Sequence, residues 1–174
     1  MKKLRYITPE DDRGALSGIY ESSWKHFYKE IVPRSFLDSI PVGFWASKID
    51  EPGRNTILAL YDESEIETPV GVCSFGKAKS ADFHDWSEIY SIYMLPGYTG
   101  QGFGKALLNF ALAELKKTES AGIYVWVFKE NYRARNFYEK HDFIPTEDFF
   151  SDTLDGIAVP EVKYVYKNRG EIDE

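Results

Sequence analysis

Cysteine is almost absent: Cys73 is the single one in 174 residues. That excludes an internal disulfide and fits a reducing compartment, so a cytoplasmic location is expected. Long apolar runs are missing too. No stretch approaches the ~20 residues that cross a bilayer. The start, Met1-Lys-Lys-Leu-Arg-Tyr-Ile-Thr-Pro9, lacks the apolar core of a secretory leader, so neither leader nor membrane partner is expected. Positive charge is in deficit, with 21 Lys and Arg against 28 Asp and Glu and a net charge of −7. This argues against nucleic acid as a partner. Internal repeats and low-complexity tracts are absent. Asp82, His84 and Asp85 share a polar loop, which lacks the converging ligands of a metal site, so no metal is expected.

What is present is a soluble globular composition, 43% hydrophobic and 28% charged, in a length that suits one domain over residues 1–174. Leu4 to Ile7 reads as a strand. Thr8-Pro9-Glu10-Asp11 reads as a helix start, with Thr8 as cap. Leu16, Ile19 and Tyr20 continue that helix towards Tyr28. Phe36, Leu37 and Ile40 suggest a second short helix, with a further turn near Trp45 and Ile49. The aromatics Trp24, Phe27 and Tyr28 suit core packing, or else the wall of a cleft. Strands follow at 56–61 and 70–76, joined by a polar turn.

The informative stretch runs from Glu88 to Leu108. Residues 89–95 are apolar or aromatic except Ser91, as a buried strand requires. Pro96 and Gly97 stop it. Gly100, Gly102 and Gly104 then alternate into Lys105-Ala-Leu-Leu-Asn-Phe-Ala-Leu-Ala-Glu-Leu115, where Leu107, Leu108, Ala111, Leu112 and Leu115 share a helical face. Strand, glycine turn and helix together make an anion site. The first helical amides lack partners, the dipole adds positive charge, and glycine lets a phosphate approach. Lys105 adds a full charge. The Walker pattern fails, since Thr99 stands where its first Gly belongs and Ala106 where its hydroxyl belongs. The dinucleotide fingerprint fails as well: Lys105 or Leu107 occupies its last Gly position.

A second informative stretch begins after the strand 123–128. In Asn131-Tyr-Arg-Ala-Arg-Asn-Phe-Tyr-Glu-Lys-His-Asp-Phe143, Asn131 is a helix cap and Ala134, Phe137 and Tyr138 share a face. Strands at 143–150 and 162–166 close the chain, with a loop at 151–160 between them. The order β-α-α-β-β-β-α-β-α-β-β predicts an α/β (α+β) plan with a mixed sheet flanked by helices.

These two stretches resemble the signatures of the GNAT-type N-acetyltransferases. The first is Arg/Gln-x-x-Gly-x-Gly/Ala, matched at Gly102 and Gly104 with Thr99 in place of Arg/Gln. The second is Asn-x-x-Ala-x-x-Phe/Leu-Tyr-Glu-Lys-x-Gly-Phe, with Asp142 in place of Gly. The resemblance implies a mostly antiparallel sheet and acetyl-CoA as co-substrate. It implies pyrophosphate contacts at Gly100, Gln101, Gly102, Phe103, Gly104 and Lys105, with Asn131 also touching CoA. It places the acetyl carbonyl and pantetheine arm along Ile92, Tyr93 and Met94.

Acetyl transfer to an amine needs a base, an oxyanion donor and an acid for the leaving thiolate. Glu88 is the candidate base, acting through water. On strict period-two alternation it shares a face with Tyr90, Ile92 and Met94. The resemblance also implies that a tyrosine seven residues after the CoA-contacting Asn reaches the sulfur, which makes Tyr138 the candidate acid, on nearly the same helical face as Asn131. The expected partner is a small-molecule or peptide amine, and a homodimer is compatible with the chain. The alternative is a non-catalytic acyl-CoA-binding sensor, which would need the glycine loop but neither Glu88 nor Tyr138.

Overall fold

The structure is a computed structural model, and it describes residues 2–63 and 66–167. Seven strands form one sheet: β1 (Lys2–Tyr6), β2 (Arg54–Glu63), β3 (Ile66–Lys77), β4 (Ser87–Met94), β5 (Ile123–Phe128), β6 (Phe143–Leu154) and β7 (Ile157–Tyr166). Their spatial order is β1-β2-β3-β4-β5-β7-β6. Every neighbouring pair is antiparallel except β4 and β5, which run parallel. The expected order of strands and main helices holds; the turn expected near Trp45 and Ile49 is a short third helix, and 3-10 turns are added at Ala81–Phe83 and Pro96–Tyr98.

Helices α1 (Arg13–Phe27), α2 (Arg34–Ser39) and α3 (Ala46–Ile49) cover one face. Leu16, Ile19 and Tyr20 of α1 pack there with Leu58, Leu60 and Val72. Helices α4 (Phe103–Leu115) and α5 (Tyr132–Glu139) cover the other. Leu107, Leu108 and Ala111 of α4 pack there with Ile57, Phe75 and Ile89. The apolar stripe read from the sequence of α4 is therefore its core face.

Three local expectations are corrected. Asp12, and not Thr8, caps α1: its carboxylate accepts from Gly14 N (2.8 Å) and Ala15 N (3.2 Å). Asp11 is instead held by the Arg5 guanidinium and the Thr8 amide. The segment 151–160 is not a loop: β6 and β7 continue through it to a tight hairpin, with Leu154 opposite Ile157. Asp155 (φ 54°) and Gly156 (φ 77°) form its two-residue turn, the Asp-Gly pairing that favours positive φ at both positions. Asp152 thereby becomes a strand residue. Finally, β4 does not alternate strictly. Phe75 pairs with Ile89 and Ser74 with Ser91, so Tyr90 is an extra residue in β4.

That bulge lies in the strand that borders the site. A bulge bends its strand and increases the local twist. Only Ser87 and Glu88 of β4 pair with β5, opposite Ile123 and Tyr124. Beyond them the two parallel strands part and leave a cleft in the middle of the sheet.

Candidate active site

Two cavities meet at the parted strands. The larger, about 630 Å³, opens on the α1 face between Trp24, Glu88, Tyr124, Trp126, Phe150 and Glu161. The smaller, about 300 Å³, runs from Gly100 and Gly104 past Met94 and Arg133 to Phe137. Tyr28, Ile92, Tyr93, Asn131, Ala134 and Tyr138 line both. A molecule in the smaller cavity therefore reaches the larger one between β4 and α5.

The glycine turn is built as an anion cradle. Gly102 is the N-cap of α4 with φ 83°, and Gly100 has φ 75°. Both are left-handed values that glycine alone adopts without strain. They aim the first amides of α4 outwards, where no carbonyl of the helix can meet them. A Cβ on Gly104 would meet only the Phe137 ring, at 3.8 Å. Lys105 is exposed beside the turn, whereas the Phe103 ring is core, so only the Phe103 amide is available to a ligand. Sequence reasoning missed Lys2, which donates to Gln101 O and lies 5.2 Å from the Phe103 ring centroid. It comes from the far end of the chain, so no local pattern marks it. These groups suit the diphosphate of CoA: free amides, two cations and space at the backbone.

Ile92, Tyr93 and Met94 all line the smaller cavity. Leu95 N donates to Val70 O on the β3 side (2.9 Å). Amide directions alternate along a strand, so Met94 and Ile92 point theirs towards the cleft. The Met94 amide is engaged: Ser23 of α1 accepts from Met94 N (3.2 Å) and donates to Met94 O (2.6 Å). Ser23 was not singled out from the sequence, because a lone serine on an apolar helical face carries no motif. It ties α1 to the lip of the cleft. The Ile92 amide points towards the cavities that Tyr138 also lines.

Glu88 is buried, 8% exposed, at the closed end of the cleft. Its Oε2 accepts from Lys79 N (2.9 Å) and Tyr124 Oη (2.9 Å). Its face is corrected by the Tyr90 bulge. The register Gly76↔Glu88, Ser74↔Ser91 and Val72↔Tyr93 puts Glu88 with Ser91 and Tyr93, while Ile92 and Met94 share the opposite face with Ile89. Tyr90 sends its hydroxyl to Lys77 O (2.5 Å).

Asn131 and Tyr138 do line one wall together. Asn131 caps α5 through Ala134 N (3.1 Å). Tyr138 is 6% exposed. Burial, with Cys73 and Tyr93 nearby, raises its pKa above the ordinary tyrosine value. The phenol therefore stays protonated at neutral pH and can donate. Asp142 adopts φ 65°. It keeps the left-handed turn that the second signature assigns to glycine, which Asp tolerates better than most residues.

Residues 16–143 match the profile of the Acetyltransferase (GNAT) family. An uncharacterised N-acetyltransferase of Bacillus subtilis is 27% identical over 121 residues, covering 70% of this chain and 69% of its own. A probable N-acetyltransferase of Mycobacterium tuberculosis is 31% identical over 134 residues, covering 76% and 67%. Among solved structures, an acetyltransferase of Salmonella typhimurium with acetyl-CoA bound has TM-score 0.67 at 17% identity. That match covers 99% of this chain and 96% of that one. The chain belongs to the GNAT acetyltransferase family. It is an acetyl-CoA-dependent acyltransferase.

Proposed function

We propose that this enzyme moves the acetyl group of acetyl-CoA to a primary amine that enters through the larger cavity. The observation that carries the reading is the shared wall. Ile92, Asn131 and Tyr138 belong to both cavities, so donor and acceptor placed one in each would meet there. Gly100 to Lys105 hold the pyrophosphate by main-chain amides and charge. The Ile92 amide steadies the carbonyl oxygen as charge develops on it. Tyr138 gives its proton to the departing sulfur. Glu88 acts through water at the closed end and clears the proton of an arriving ammonium. Direct attack needs no covalent enzyme intermediate, and Cys73 is unsuited to form one: it is buried, and burial raises its thiol pKa well above the ordinary value. The aromatic and acidic lining of the larger cavity fits an amine in small-molecule or peptide form. One domain over residues 1–174 and a cytoplasmic location belong to the same reading.

The test is a panel of primary amines scored by CoA release and acetylated product. It contains diamines, arylalkylamines, amino acids, aminoglycosides and peptides with free N-termini or lysines. Acetyl-CoA-dependent product from one class supports the reading. Tight acetyl-CoA binding with no product from any class turns it towards the non-catalytic acyl-CoA sensor.

A further inference from the structure

The amine's reaction centre lies at the open end of the cleft, and Glu88 lies at the closed one. With Tyr90 as the extra residue, Ile92 (opposite Cys73) lies three register positions beyond Glu88 (opposite Gly76), a separation of about 10 Å along a strand. On the partner strand, Phe128 is four residues beyond Tyr124, the residue that pairs with Glu88. Phe128 pairs in turn with Glu161 of β7. Glu161 thus stands beyond the closed end of the cleft, on the face that carries Phe128 and Phe150, in the cavity that Ile92 also lines. It lines the larger cavity beside Tyr28 and Asn131, both of which also line the smaller one.

The two carboxylates differ in their surroundings. Glu88 is held by two donors. Among the described residues no donor reaches the Glu161 carboxylate. The titratable groups that line the same cavity are Glu88, Tyr90 and Tyr93 on β4, Asp152 on β6, Tyr124 on β5, Lys79 before β4, Tyr28 after α1 and Tyr138 on α5. None of them pairs with it. A half-buried carboxylate without a partner, facing the place where an amine must attack, is set up to take a proton.

We propose that Glu161 is a further catalytic residue of the transfer, receiving the proton that the amine nitrogen loses as it bonds to the acetyl carbon. This rests on the acetyl-transfer reading above. An arriving ammonium carries two protons that must leave. The first goes to water through Glu88 and leaves a neutral amine. The nitrogen lone pair then forms the N–C bond, the C–S electron pair stays with sulfur, and the second proton passes to Glu161. Tyr138 protonates the sulfur and is itself reprotonated from water. The sum is an amide, free CoA and one released proton. Burial first, then the charges of Asp152 and Glu88, raise the Glu161 pKa to about 7. That value suits a group that accepts a proton near neutral pH and releases it between turnovers.

The sign of the pH dependence follows. Glu161 must be ionised to act, so protonation below about pH 7 removes it. Protonation of the amine independently removes the nucleophile. For wild type acting on the best amine of the panel, log kcat/KM should rise with a slope of two below about pH 7 and a slope of one above it. Glu161→Gln should lower single-turnover rates by ~10²–10⁴-fold and show a slope of one throughout. Its acetyl-CoA affinity should stay within a few fold. Glu161→Asp should recover part of the rate and restore the break. Glu88→Gln, though slower, should keep the break. A Glu161→Gln enzyme with wild-type rate and unchanged slopes overturns this role and leaves the transferase reading standing. Loss of acetyl-CoA binding in Glu161→Gln assigns the residue to structure and overturns it as well. A wild type that is inert across the panel overturns both readings.

Discussion

Single side chains divide the labour of this site. The second signature pointed to Tyr138 because Asn131 and Tyr138 are seven apart, and the structure puts both on one wall of the cleft. Burial keeps its phenol protonated and therefore able to donate. Tyr138→Phe removes only the oxygen and keeps the ring against Phe137 and Phe143. Acetyl-CoA affinity should stay within a few fold while single-turnover transfer falls by ~10-fold or more, since the lost interaction belongs to the transition state. Equal single-turnover rates would remove Tyr138 from the chemistry. Glu88 was legible as a carboxylate opening the central strand, but its face was not. An inserted residue reverses alternation, and nothing in Glu88-Ile-Tyr-Ser-Ile-Tyr-Met94 shows that Tyr90 is the inserted one. Glu161 was illegible for a different reason. Its place depends on pairing between β5 and β7, and no local spacing records that.

At the level of elements, the glycine turn and α4 read correctly because their physics is local: left-handed glycines, outward amides and one apolar stripe. The β6–β7 hairpin was misread although Asp155-Gly156 is a strong local turn signal. The polar Ser151-Asp-Thr153 before it and Pro160 after it hid the strands, and both strands are largely exposed there. Helix α1 read correctly as a helix, with its cap expected at Thr8, four residues before Asp12. Its link to the site was out of reach of the sequence, because Ser23 meets Met94 across 71 positions. Ser23→Ala should leave the helix intact and strand the Met94 amide and carbonyl. Leaving such buried groups unsatisfied costs ~1–3 kcal/mol each. Denaturant unfolding should show that loss, together with weaker acetyl-CoA binding as the lip of the cleft loosens. Wild-type stability in Ser23→Ala would show that Ser23 does not brace the cleft.

For the molecule as a whole, the alternation of strand and helix signals was enough for the architecture. The strand order β4-β5-β7-β6 was not written locally, yet it creates function. It sets a parallel pair at the centre of an otherwise antiparallel sheet, and that pair is joined only at Ser87 and Glu88 of β4. The central claim is that acetyl-CoA lies in this gap with its diphosphate on the head of α4. Calorimetric titration of acetyl-CoA into wild type and Gly104→Asp tests it most directly. The added Cβ has room, meeting Phe137 at ordinary contact distance, so the variant should fold with a near-normal melting temperature. It nonetheless brings bulk and like charge to the cradle. Wild type should bind and Gly104→Asp should bind at least tenfold more weakly, a loss of about 1.4 kcal/mol or more. Undiminished binding by a folded Gly104→Asp would contradict the account.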